Sequence, residues 1–139
     1  MTSDDSAEQR DRDARQRLDL LAGASGYESA RAAKLIEAFM EKVRVAGPPA
    51  VPLRARTLDG HAVKTDKQGW YIRNDHSVAV GTDGQYYQLT VPGGWQARLK
   101  GVRLRPTPPP LVVGRGGKDG ETGDLKDFLD RTLAGQVRP

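Results

Sequence analysis

Cysteine is absent from the 139 residues, which excludes disulfides, thiolate metal sites and cysteine nucleophiles together. Long apolar runs are missing too, and no stretch approaches the roughly 18 consecutive apolar residues of a membrane span. The opening MTSDDSAEQRDRDARQR has no apolar segment and carries many acids, the reverse of a signal or transit peptide. These absences lead us to expect a cytoplasmic protein that makes no use of a membrane. Histidine is scarce: only His61 and His76 occur, isolated from each other, which argues against a metal site. Asp75, His76 and Ser77 supply the residue types of a catalytic triad, but adjacent residues cannot point at one another in the required order. No paired acid and base is visible, so neither an enzyme nor a cofactor is expected.

Basic residues exceed acidic ones by four overall. Residues 1–17 hold four Arg against five acids, 18–46 hold four of each sign, and 114–139 hold five of each. The excess therefore lies in 47–113, with nine bases against four acids. A basic middle between near-neutral ends points to an acidic ligand.

Periodicity divides the chain in the same way. Residues 1–17 read as a charged, frayed tail and helix start, with acid-to-base pairs at i,i+4. A single domain is expected over 18–139, opening with helices in 18–46. The first ends near Gly23; the second begins at Ser25, where Glu28 completes capping-box spacing. Its apolar stripe is Ala32, Leu35, Ile36, Phe39, Met40 and Val43, and Gly47-Pro48-Pro49 stops it.

From 51 to 113 the period becomes two, as in an antiparallel meander. A three-residue loop Leu58-Asp59-Gly60 puts Leu53, Ala55 and Thr57 on one face with His61, Val63 and Thr65. A loop at Asn74-Asp75-His76 and a two-residue turn at Asp83-Gly84 put Trp70, Ile72, Val78, Val80, Tyr87 and Leu89 on an inner face. Tyr71, Arg73, Ala79, Tyr86, Gln88 and Thr90 then take the outer one. The stretch ARLKGVRLR, residues 97–105, reads as a strand bulged at Gly101, with Leu99, Val102 and Leu104 inward. A Gly-rich loop over 114–123 and a helix over 124–134 close the chain. PTPPP at 106–110 is a spacer between strands.

The expectation is an α+β domain: an antiparallel meander of about six strands, curled or partly barrel-like, packed with two N-terminal helices and one short C-terminal helix. The strand-rich middle suggests a small SH3-like or other partly open barrel, an analogy of fold that carries no function. The candidate ligand face is Arg54, Arg56, Tyr71, Arg73, Tyr86, Arg98, Lys100, Arg103 and Arg105, basic groups with aromatics among them. Two readings compete for it. The first is a small non-enzymatic interaction or regulatory protein that holds a protein partner. The alternative is a nucleic-acid module, with basic groups on phosphates and tyrosines stacked on bases. Oligomeric state is not legible.

Overall fold

Thr2–Ala46 forms one uninterrupted helix, α1, roughly 65–70 Å long at 1.5 Å per residue. The computed structural model describes residues 2–114 and 122–139, and for 2–5 and 18–25 the backbone alone. The helix break expected near Gly23 does not occur. A glycine inside a helix costs about 1 kcal/mol, whereas stopping and restarting would leave unsatisfied amides and carbonyls at two new ends. The expected apolar stripe is the buried one: Ala32, Ile36, Phe39, Met40 and Val43 are core residues, with Leu35 partly buried beside them. The helix stops at Gly47, whose N–H reaches Val43 O at 3.1 Å. No helix among the described residues is long and apolar enough to cross a membrane.

The chain then builds β1 (Val51–Thr57), β2 (Ala62–Tyr71), β3 (Val78–Gly81), β4 (Tyr86–Gln88) and β5 (Thr90–Val91). They form one sheet in the order β4-β3-β2-β1-β5. It is mixed rather than antiparallel throughout, because β5 runs parallel to β1. The sheet curls without closing. Its two end strands are successive pieces of one run of chain, joined at Leu89, which donates its N–H to Ser77 O (2.8 Å) and accepts from Arg56 N–H (2.7 Å).

The first hairpin follows the expected register: Ala55 opposes Val63, and Gly60 takes φ 90° in the three-residue loop. The hairpin between β3 and β4 does not. Gly81 N–H bonds Gln85 O at 2.9 Å and Gly84 takes φ 76°, so this loop also has three residues. The extra residue places Tyr86, not Tyr87, opposite Val80, and Tyr87 opposite Ala79. A one-residue slip exchanges faces, and here both faces are covered. Trp70, Ile72, Val78, Val80 and Tyr86 pack against α1 and the C-terminal helix. Leu53, Ala55, Val63, Tyr71, Ala79, Tyr87, Leu89 and Leu104 fill the other side of the sheet. Tyr71, Arg73, Ala79 and Tyr86, expected on a solvated face, are therefore all buried.

The expected strand over 97–105 is absent. Trp95–Lys100 is a short helix, α2, with Gly101 as its C-cap at φ 79°. Leu99 is exposed instead of inward, while Leu104 is buried as expected. After Gly101 the chain touches β2 only briefly. Thr65 and Val102 form an isolated parallel bridge, and Leu104 N–H is held by Asp66 Oδ1 at 2.8 Å. β6 (Val112–Val113) and β7 (Gly123–Asp124) make a separate two-stranded sheet. Most of the expected Gly-rich loop, 115–121, lies outside the described residues. α3 (Leu125–Leu133) follows, near the expected 124–134. It buries Leu125, Phe128 and Leu129, and Thr132 donates its hydroxyl to Phe128 O (3.0 Å) and Tyr71 O (3.3 Å).

Asp66 is the one side chain that ties Leu104 to the sheet edge, and that bond holds its carboxyl below the ordinary value of 3.8. A depressed carboxyl stabilises the fold above its unfolded pKa, and that contribution is lost as pH falls through the folded one. Asp66→Asn is expected to narrow the difference in melting temperature between pH 6 and pH 3. Circular dichroism melts at the two pH values check this, and an unchanged difference would remove Asp66 from the acid response.

Candidate functional site

The nine residues expected on one basic face fall in separate places. Arg54 and Arg56, on exposed positions of β1, line a groove of about 320 Å³ with Tyr71, Asp75, His76 and Pro139. Tyr71 is committed there: its hydroxyl accepts Arg54 N–H at 2.9 Å, and its ring stacks on His76 at 3.9 Å between centroids. His76 bonds Arg138 O through Nε2 at 2.7 Å, while Ser77 Oγ donates to Asp75 Oδ1 at 2.6 Å. Those contacts lead away from one another and form no relay.

Arg73 and Tyr86 line a second groove, of about 440 Å³. Burial pushes the Tyr86 phenol up to about 12, against the pull of the Arg73 charge. Lys100, Arg103 and Arg105 are exposed, at the end of α2 and in the irregular chain after it.

Arg98 belongs to a third arrangement. It donates from Nη2 to Asp59 Oδ2 at 2.9 Å, which ties α2 to the tip of the first hairpin. Asp59 also accepts the Thr57 hydroxyl. The hydrogen bond from Thr57, then the one from Arg98, holds the Asp59 carboxyl below its ordinary range. Gly93 makes the docking close: a side chain there would strike Thr57 Cβ at 2.8 Å and Asp59 Oδ1 at 2.9 Å.

What this docking presents is apolar. Trp95 is 68% exposed and Leu99 76% exposed; at i,i+4 they share one helix face. Leu58, beside Asp59 on the hairpin tip, is 78% exposed. α2 buries none of its residues, so packing does not account for a tryptophan and a leucine in water. Sequence reasoning missed this group because a strand reading turns Leu99 inward. The signal available was the i,i+4 spacing of Trp95 and Leu99 ahead of a glycine.

No family model matches the chain, and no curated protein or solved structure does either.

Proposed function

We propose that this chain is a non-enzymatic interaction protein that holds a protein partner through α2 and the tip of the first hairpin. The observation that carries the reading is the exposure of Trp95, Leu99 and Leu58 on the two segments that the Arg98–Asp59 bond joins, with Arg98 and Lys100 on the same helix. Aromatic residues and arginine are enriched where proteins meet, and large apolar groups clustered in water mark such surfaces. The Asp59–Arg98 pair and the close approach of Gly93 fix the patch in place, which lowers the entropy lost on docking.

Nucleic-acid binding draws less support. Tyr71 and Tyr86 are buried and not free to stack on bases, and Arg98 is already paired with a carboxylate. That reading keeps the exposed Arg54, Arg56, Lys100, Arg103 and Arg105 as its footprint.

Photo-crosslinking decides between the two. A benzoylphenylalanine at Gln96, exposed between Trp95 and Leu99, is expected to give a discrete protein adduct in the native cell. The double substitution Trp95→Asp with Leu99→Asp should cut that adduct by about tenfold or more, the size of a hot-spot loss. The melting temperature of the double variant should not change, since Trp95 and Leu99 are both exposed. Adducts to nucleic acid, or a protein adduct indifferent to the double substitution, would overturn the proposal. In parallel, anisotropy of labelled DNA and RNA across salt concentrations tests the alternative, with a steep slope reduced by Arg103→Ala and Arg105→Ala as its signature.

A further inference from the structure

The groove beside Arg73 shares no residue with the α2 patch. Arg73 is only 8% exposed, and its Nε and Nη2 are shielded from water without a hydrogen-bond partner. Asp75 Oδ2 stands 3.4 Å from Nη2 and offsets part of the charge but makes no hydrogen bond to it. The other Asp75 oxygen is occupied by the amide and hydroxyl of Ser77. Arginine does not shed its proton in proteins, so the buried cation cannot neutralise itself. Nε and Nη2 are the two donors with which a guanidinium grips a carboxylate side-on. Both are idle.

The same groove is bordered by an unpaired strand edge. Gly81 bonds Gln85, and Leu89 bonds Ser77, so the odd-numbered residues of 85–89 turn their backbone toward β3. By the alternation of a strand, Gln88 and Thr90 turn their amides and carbonyls the other way. Thr107 N–H takes that side at Tyr86 O, at 2.9 Å. On that outward side Gln88 and Thr90 have no backbone partner among the described residues, while on its other side Thr90 is bridged to Arg56 of β1. Among the described residues, the groove between this edge and β6, lined by Arg73, Ser77, Tyr86, Gln88, Thr90 and Val112, is thus an open strand position next to a cation whose Nε and Nη2 make no hydrogen bond.

We propose that this groove binds an extended peptide segment carrying a carboxylate, its backbone added to the edge at Gln88 and Thr90 and its carboxylate gripped by Arg73. Arg73 lines the groove with Nε and Nη2 turned away from water, so a turn about its last side-chain torsions is needed to present the fork to the ligand. Strand addition supplies affinity through the main chain, and the charged contact supplies selection. A carboxylate suits the site better than a phosphate. One guanidinium matches one negative charge, and Glu28, whose Oε1 holds Leu111 N–H at 3.1 Å, lines the same groove and repels a dianion more strongly than a single carboxylate.

The test is a titration of the full chain followed by amide and arginine Nε NMR signals. The probe is a blocked peptide of alternating Val and Thr with one central Glu; its Gln and phosphoserine counterparts and inorganic phosphate are the comparisons. The Glu peptide is expected to shift the Arg73 Nε signal and the amides of Gln88 and Thr90 together. The Gln peptide should bind about tenfold more weakly or worse, the usual value of a charge-assisted bond. Arg73→Met should abolish the preference for Glu over Gln. It should also leave melting unchanged or raise it, because a buried cation without hydrogen bonds at Nε and Nη2 is replaced by an apolar chain of similar length, and its ion-pair partner Asp75 is exposed enough to be hydrated. Equal binding of the Glu and Gln peptides, or no shift by any peptide at millimolar concentration, would overturn the proposal. Tighter binding of the phosphoserine peptide would do so as well. So would saturation of the Arg73 signal by inorganic phosphate with the edge amides unmoved.

Discussion

Gly69→Ala is expected to lower stability by about 3 kcal/mol or more, on the order of 10 °C in melting temperature for a chain of this size. Gly69 is the residue at which β2 changes partners: it opposes Val51 of β1 on one side and Gly81 of β3 on the other. A Cβ at this position would lie 2.0 Å from Val80 O and 2.7 Å from Gly81 Cα. Both obstacles are backbone, so no side-chain rotation relieves the clash, and β3 must separate from β2 to admit the methyl. That separation would break the ladder holding Trp70 against Val80 and Tyr71 against Ala79, which anchors the cores on both faces of the sheet. Gly94→Ala is the matched control. A Cβ there meets nothing within 4 Å and the backbone is extended, at φ 169°, so the change should be neutral or slightly stabilising. Thermal melts of the two variants would settle it. A Gly69→Ala protein melting within about 2 °C of the parent would mean that the two strands yield more easily than their packing implies.

Gly69 also shows what was legible in the sequence and what was not. Local patterns whose partner lies within a few residues were readable. The Leu58-Asp59-Gly60 loop came from parity alone, and the α1 stripe from its 3–4 residue spacing, because each is decided by neighbours along the chain. Patterns decided by a distant surface were not readable. Parity assigns one inner and one outer face, but this sheet is covered on both sides, by α1 and α3 on one and by its own curl with Leu104 on the other. Tyr86 and Tyr87 are both buried, and no alternation distinguishes them. Gly101 is ambiguous for a different reason. A bulge and a helix C-cap both favour a glycine with positive φ, so the glycine that would have kept a strand in phase instead ends α2. Without that strand, Arg98 and Lys100 sit on a helix and Arg103 and Arg105 on irregular chain, while Tyr71 and Tyr86 are buried.

The second large effect is expected where α1 meets the sheet. The Phe39 ring meets Trp70 edge-on at 5.8 Å between centroids, and Trp70 in turn donates its indole N–H to Pro48 O at 2.8 Å. One aromatic pair therefore joins the helix, the residues that terminate it and the end of β2. Phe39→Ala would remove a buried ring among Ile36, Met40 and Val43, at a cost of about 3–5 kcal/mol, on the order of 10 °C or more. The near-ultraviolet dichroism of Trp70 should weaken with it, since the ring loses the neighbour that fixes its orientation. Substitutions on the same helix that leave this contact alone should cost little. Tyr27→Ala and Val45→Ala alter exposed side chains and are expected to stay within about 0.5 kcal/mol. Because Phe39 and Val45 lie less than two turns apart, helix propensity cannot separate them; burial against the sheet can. If Phe39→Ala proved as mild as Val45→Ala, the α1–sheet contact would not be what holds the helix in place.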